Sequence, residues 1–129
     1  MGAIDYRIAP FPSDLELDWL WQAAWGGPLG RSYQPVLERS LTHVGAYLGD
    51  RLVGFVNLAW DGGIHAFILD TCTDPEFRRR GIARELVRQA VAVARDRGIE
   101  WVHVDYEPAL EPFYRTCGFR QSAAGVMRL

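Results

Sequence analysis

The sequence predicts one domain of the α/β (α+β) class, with a mixed, mostly antiparallel sheet flanked by helices. Three observations predict it. The chain has 129 residues, 49% hydrophobic and 23% charged, which suits a single globular core over residues 1–129. Short alternating apolar stretches fill much of the first half, as antiparallel strands do. A strand–helix–strand unit follows late in the chain, and such a unit places its two strands in parallel.

The first half begins with a strand and a well-signalled helix. Residues 4–8 alternate apolar and polar side chains and predict the first strand. Ser13 has Glu16 three residues later, which is the spacing of a capping box, and Gly26 is placed to end the helix. A glycine- and proline-rich loop over residues 26–35 follows. Two further strands are predicted around a Gly49-Asp50 turn.

The second half carries the clearest helix, over residues 81–97, in which apolar residues recur at helical spacing until Gly98 ends it. An apolar strand over residues 62–73 precedes this helix, and an alternating strand over residues 100–106 follows it. A short helix then runs to Gly118. The final residues 126–129 are apolar enough to suggest a last edge strand.

The charge and cysteine content disfavour several classes of protein. The net charge is −2, whereas a dedicated nucleic-acid binder is usually basic. All 14 basic residues are arginine, so no site that needs a lysine can form. Cys72 and Cys117 have no metal-ligand spacing, and we expect two free thiols, no metal and a cytoplasmic location. We also expect no signal peptide and no membrane-spanning segment.

A run of arginines precedes a glycine just where the clearest helix begins. Arg78, Arg79, Arg80 and Gly81 would place positive charge beside the uncapped amides of a helix N-terminus, which is an anion site suited to phosphate. An alternative is a solvated turn whose arginines are balanced by nearby carboxylates. Those carboxylates are Asp74, Glu76 and Glu85. Nucleic-acid binding by the arginines is a further alternative, but no aromatic residues are interleaved with them.

The stretch DPEFRRRGIARELV, residues 74–87, resembles the acyl-CoA-binding signature of the GNAT superfamily of N-acetyltransferases. The matching positions of the short pattern are Arg78, Gly81 and Ala83, set between an apolar strand and an amphipathic helix. A second landmark of the family is a tyrosine followed four residues later by Gly-Phe, and here it is Tyr114 with Gly118-Phe119. The resemblance covers residues 64–119 clearly.

The resemblance implies that acetyl-CoA is the acyl donor. Amides of residues 79–84 would hold its pyrophosphate, and the backbone of residues 71–73 would pair with its pantetheine arm, like an added strand. The strand at 101–105 would splay away from that backbone to admit the cofactor. The residues implied for cofactor binding are Thr71, Cys72, Thr73, Arg78, Arg79, Arg80, Gly81, Ile82, Ala83 and Arg84.

The resemblance also implies direct attack of a primary amine on the acetyl group in a ternary complex. Tyr114 would donate a proton to the departing thiolate, and a backbone amide near Thr73 would stabilise the oxyanion. The sequence leaves three candidates for the general base: His103, Asp105 and Asp70. Each of these could equally serve a structural role.

One departure from the family pattern keeps a second function open. Glu107 stands where the family often has an asparagine that contacts the cofactor, so a non-catalytic CoA-binding or regulatory module on the same fold is the alternative. The acceptor, a small-molecule or peptide amine, is not readable because acceptor sites are built from loops. Trp25 and Tyr33 could contact it. Exposed strand edges are compatible with a homodimer.

Overall fold

The computed structural model describes residues 2–129 and shows one five-stranded sheet with four helices. The helices are α1 (Asp14–Trp25), α2 (Gln34–Arg39), α3 (Ile82–Asp96) and α4 (Glu111–Thr116). The strands are β1 (Asp5–Ile8), β2 (Thr42–Leu48), β3 (Arg51–Trp60), β4 (His65–Thr73) and β5 (Trp101–Val104). Short 3₁₀ turns at Pro75–Phe77 and Pro108–Leu110 precede α3 and α4.

The strands lie in the sheet in their order along the chain, β1-β2-β3-β4-β5. The first three pairings are antiparallel, and the fourth, between β4 and β5, is parallel because α3 carries the chain back across the sheet. The mixed, mostly antiparallel sheet predicted from the sequence is therefore confirmed.

The ends of α1 follow the sequence signals. The Ser13 hydroxyl accepts a hydrogen bond from the Glu16 amide, and the Glu16 carboxylate accepts one from the Ser13 amide. This reciprocal pair satisfies two donors that a helix N-terminus leaves without partners. Gly26 ends the helix in the left-handed conformation, with φ of 76°.

Helix α3 covers one face of the sheet. Its buried residues Leu86, Ala90 and Ala94 recur at helical spacing and pack on strand residues such as Val56. Gly54 on β3 lets the helix approach, because a Cβ there would lie only 2.9 Å from Ile82 Cγ2. This contact fixes the N-terminal end of α3 against the middle of the sheet.

Helices α1 and α2 cover the opposite face, around Leu17, Leu20 and Phe55. Two carboxylates of α1 also hold the loop that joins the helices. Asp18 accepts a hydrogen bond from the Leu29 amide at 2.7 Å, and Asp14 accepts one from the Tyr33 amide at 3.0 Å. The glycine-rich loop is thereby fastened to the helix that precedes it.

Two predictions about the end of the chain differ from the structure. The strand predicted over residues 100–106 is shorter, since β5 ends at Val104. The edge strand predicted at 126–129 is wrong: residues 119–129 form no strand, and Val126 is 83% exposed. A short apolar stretch becomes a strand only when the fold brings it to a free sheet edge, and here it does not pair.

Candidate active site

The parallel strands stop pairing halfway along β4. The last paired residues are Ile68 on β4 and Val104 on β5, whereas β4 continues to Thr73. The five residues beyond Ile68 therefore have β3 on one side and no strand on the other. Free backbone groups on such an edge can pair with an extended ligand.

A cavity of about 240 Å³ lies against this free end of β4. One wall comes from β4 and the start of α3, the second from the end of α1, and the third from the segment around α4. The lining residues are Ala24, Trp25, Thr71, Cys72, Thr73, Arg78, Ala83, Leu110, Phe113 and Tyr114. The cavity thus brings together residues from both landmarks of the sequence, which lie some 30–40 positions apart.

The N-terminus of α3 opens beside this cavity. Gly81 adopts φ of 76°, and no side chain within residues 2–129 caps the helix, so its first amides keep free donors. Arg79 is also left-handed, with φ of 64°, which is uncommon for a residue with a side chain. Exposed amides, the helix dipole and the arginines together make this turn suited to a phosphate group.

The carboxylates near the arginine run are engaged elsewhere. Arg51 on β3 pairs with Asp74 at 2.8 Å and with Glu76 at 3.2 Å. Glu85 pairs with Arg88 at 2.6 Å. The three acids thus pair with Arg51 and Arg88, while Arg78, Arg79 and Arg80 are exposed and Arg78 also lines the cavity.

Tyr114 is nearly buried, at 6% exposure, and lines the cavity from α4. Its ring stacks on Tyr106 with 4.9 Å between centroids and meets Phe119 edge-on. Burial raises the pKa of the Tyr114 phenol, while the neighbouring Thr71 hydroxyl lowers it. The phenol therefore stays protonated at neutral pH, as a proton donor must.

Asp70 lies at a bulge in β4, in the left-handed region with φ of 56°. Asp70 and Thr71 together oppose the single residue Val56 of β3, so the strand gains one unpaired position. The Asp70 carboxylate accepts a hydrogen bond from the Tyr33 hydroxyl at 2.5 Å. Asp70 directly precedes the β4 residues that line the cavity.

His103 and Asp105 line a different surface, a groove of about 880 Å³ between the outer face of β4–β5 and the C-terminal tail. His103 Nε2 lies 2.8 Å from His65 Nδ1, so one imidazole donates to the other. The His103 ring also stacks on Phe67 at 4.8 Å. None of the three candidate bases is among the residues that line the cavity, but Asp70 directly precedes Thr71, which does line it.

The structure gathers the predicted cofactor residues at two adjoining places. Five of them line the cavity: Thr71, Cys72, Thr73, Arg78 and Ala83. The other five lie in the first turn of α3 or in the turn just before it: Arg79, Arg80, Gly81, Ile82 and Arg84. The Ile82 side chain is part of the core, so only its backbone faces the turn. Burial raises the pKa of the Cys72 thiol, which agrees with a packed rather than a nucleophilic cysteine.

Sequence reasoning missed Ala24, Leu110 and Phe113 as cavity residues, and it missed the contact between Tyr33 and Asp70. Phe113 could have been noticed as the neighbour of Tyr114, but the others carry no local signal. Within residues 2–129, no group of three or more His, Cys, Asp or Glu side chains could hold a metal ion. None of the described helices is long and apolar enough to cross a membrane.

The comparisons with known proteins agree with this geometry. The sequence matches the acetyltransferase (GNAT) family over residues 6–119, and the chain belongs to that family. It is similar to an uncharacterized ycf52-like N-acetyltransferase of Prochlorococcus marinus, with 30% identity over 116 residues. That alignment covers 86% of this chain but only 64% of the relative, so the chain spans less than two thirds of it.

Solved structures share the fold at low identity. A GNAT-family acetyltransferase of Streptococcus pneumoniae has a TM-score of 0.81 and 23% identity, with 98% of each chain covered. An aminoglycoside N-acetyltransferase solved in complex with CoA has a TM-score of 0.76 and 17% identity, with 100% of this chain and 96% of that chain covered.

Proposed function

We propose that the protein transfers an acetyl group from acetyl-CoA to a primary amine by direct attack within a ternary complex. The observation that supports this most is the cavity, where the free end of β4, the start of α3 and Tyr114 meet. Family membership supports acetyl-CoA as the donor, and the similar aminoglycoside acetyltransferase was solved with CoA.

The residues present fit the chemistry of a CoA ester. A diphosphate needs several converging donors, and the uncapped amides of α3 beside Arg78 and Arg79 supply them. A pantetheine arm carries amides, and the unpaired edge of β4 at residues 71–73 offers backbone partners for them. The thioester would then lie towards Tyr114, within the same cavity.

Two proton movements are required. Attack by the amine would form the carbon–nitrogen bond, and departure of the thiolate would break the carbon–sulfur bond, with the Tyr114 hydroxyl giving its proton to the departing sulfur. The attacking nitrogen must lose a proton, which Asp70, Asp105 or His103 could accept directly or through water. Of the three, Asp70 directly precedes the cavity residue Thr71. The oxyanion would be met by a backbone amide near Thr73.

A non-catalytic CoA-binding module is the second candidate. Glu107, in place of an asparagine, favours it, and this side chain is exposed and outside the cavity. A carboxylate there would repel rather than bind a CoA phosphate. The two candidates share the donor site and differ only in whether an amine is acetylated.

Thermal unfolding with and without acetyl-CoA tests the donor site. A ligand at 100 times its Kd should stabilise the fold by about 2.7 kcal/mol, and adenosine is a control that lacks the pyrophosphate and the arm. Release of free CoA with a panel of primary amines then separates the enzyme from the binding module. An unchanged melting temperature at millimolar acetyl-CoA would count against both candidates.

We further propose a cytoplasmic location and a homodimer. The free thiols of Cys72 and Cys117 suit a reducing compartment. The outer edges of β1 and β5 pair with no other strand among the described residues, so either could meet a second copy. Light scattering at micromolar concentration measures the mass directly, and a value near 14.6 kDa would exclude the dimer.

A further inference from the structure

The geometry points to a binding subsite for the protonated amino group of the acceptor, formed by the Asp70 carboxylate and the Tyr33 hydroxyl. The aromatic row beside it, Trp21 and Trp25, selects an amine carried on a flat apolar group. This inference rests on the proposed function, because it assigns the acceptor side of the same site.

The first argument is that the Asp70 carboxylate has no cationic partner. The ion pairs within residues 2–129 involve Asp5, Asp74, Glu76, Glu85 and Glu111, and none involves Asp70. Within that range Asp70 lacks an ion-pair partner even though the chain has 14 arginines. A half-buried carboxylate is costly without an opposite charge, and an organic ammonium would provide one.

The second argument is that the carboxylate is held in place from two sides. Its backbone is fixed in the left-handed bulge of β4. Its Oδ2 accepts from Tyr33, whose ring is only 8% exposed and packs against Phe55 at 5.9 Å. The Tyr33 amide is in turn bound by Asp14. Such support leaves Oδ1 to meet a ligand at a defined position.

The third argument is the nature of the surroundings. Trp21 lies 5.5 Å from Tyr33 and 5.0 Å from Trp25, measured between ring centroids. Trp25 is exposed and lines the cavity together with Thr71, the residue after Asp70. A row of aromatic rings leading to one carboxylate matches an ammonium on an apolar or aromatic group.

The Asp70 carboxylate binds the ammonium group in this assignment, and Tyr33, which donates to Oδ2, is a positioning residue. The nitrogen attacks only after it has lost a proton, and that proton goes to another group or to water.

Binding of 2-phenylethylamine and of the uncharged 2-phenylethanol tests the subsite. Calorimetry on the chain, with and without CoA, should show that the amine binds at least about 10-fold more tightly than the alcohol. Asp70→Asn should remove this difference, whereas Asp96→Asn, the same change at an exposed position on α3, should keep it. Equal affinity for amine and alcohol in the unaltered chain, or an unchanged difference in Asp70→Asn, would overturn the inference.

Activity separates binding from base catalysis. With 2-phenylethylamine as acceptor, Asp70→Asn should raise KM and leave kcat at saturating amine almost unchanged, with affinity for acetyl-CoA preserved. Tyr33→Phe should raise KM for the amine less than Asp70→Asn does, because the carboxylate remains. A fall in kcat with unchanged KM would show that Asp70 is a base instead and would refute the assignment.

The aromatic row has its own matched pair of variants on α1. Trp25→Ala should weaken binding of 2-phenylethylamine more than binding of n-butylamine. Trp19→Ala should weaken binding of neither amine, because Trp19 is 70% exposed and does not line the cavity. An equal loss of affinity for both amines in Trp25→Ala would refute the claim that the aromatic row selects a flat apolar group. Because the amine is also measured without CoA, a failure of the acetyl-CoA proposal remains distinguishable from a failure of this one.

Discussion

At the scale of single residues, the surroundings of a side chain that lines the cavity set its protonation state. Tyr114 is enclosed by aromatic rings, and burial keeps its phenol protonated. Thr71 acts in the opposite direction and lowers the pKa of the same phenol. The Thr71 Oγ1 atom is buried and has no hydrogen-bond partner of ordinary geometry within the described chain, yet it lies close enough to the Tyr114 phenol to lower the pKa of that group.

Replacing Tyr114 by phenylalanine tests the proton donor. Removal of a general acid should lower kcat about 100-fold, while the Kd for acetyl-CoA stays near its original value because the ring remains. Stopped-flow or steady-state release of CoA measures the rate, and calorimetry measures binding. Since burial raises the pKa of Tyr114, no alkaline loss of activity from this residue is expected below about pH 10. Unchanged turnover in the variant would remove Tyr114 from the mechanism.

Replacing Thr71 by valine tests whether its hydroxyl supports Tyr114. Without it the pKa of the phenol rises further, the tyrosinate formed during turnover is less stable, and kcat should fall about 10-fold. Thr71→Ser keeps the hydroxyl and should retain most of the activity. The alkaline limb of the pH–rate profile should move upwards in Thr71→Val. If valine and serine behave alike, the hydroxyl has no such part.

At the scale of elements, the proposed acetyl-CoA site depends on the N-terminus of α3. Gly81 is left-handed, and a Cβ placed on it would meet no atom within 4 Å. Its substitution would therefore disturb the backbone conformation and the approach to the open amides, but not the packing. Gly98, just beyond the other end of the helix, has the same conformation, with φ of 80° and equally open space.

The two glycines form a matched pair of variants. Gly81→Ala and Gly98→Ala should each cost roughly 1–2 kcal/mol of unfolding free energy, because each forces a side chain into the left-handed region. Only Gly81→Ala should also weaken acetyl-CoA binding. Urea unfolding and calorimetry give the two quantities. A weaker Kd in Gly98→Ala of similar size would mean that the effect comes from helix stability and not from the anion site.

At the scale of the whole molecule, one histidine links stability to pH. His43 on β2 is only 1% exposed, and its Nε2 accepts a hydrogen bond from the Phe11 amide at 2.9 Å. Burial lowers the pKa of His43 from 6.5 to about 4, so the folded chain keeps the ring neutral. Between those values the unfolded chain binds a proton that the folded chain does not.

Acid should therefore weaken the fold before its carboxylates titrate. The contribution of His43 is fully present above pH 6.5 and is lost as the pH falls towards 4. At about 1.4 kcal/mol for each pH unit, the loss from pH 7 to pH 5 should be about 2 kcal/mol. Urea unfolding at the two pH values measures it. The loss should be much smaller in His43→Gln and persist in His65→Gln; an equal loss in all three chains would assign it to other groups.

Local signals in the sequence determined the parts of this protein that local physics controls. The capping box at Ser13, the left-handed Gly26 and the amphipathic α3 appear where the residue pattern predicts them, because caps and periodicity act over a few residues. The proposed donor site rests on equally local features, a glycine turn and a helix start. The tail at residues 126–129 was not, because an edge strand needs a distant partner.

Tertiary structure alone decided the contacts of the proposed acceptor side and the pairing of Arg51 with Asp74. Asp70 meets Tyr33 across 37 positions, and Arg51 pairs with Asp74 across 23. The first contact depends on the bulge in β4, and the second on the pairing of β3 with β4, so no short stretch encodes either. Glu85 and Arg88, three residues apart on α3, form a local pair by contrast. Helix starts follow from neighbouring residues, whereas the partner of a side chain follows from the packing of the entire fold.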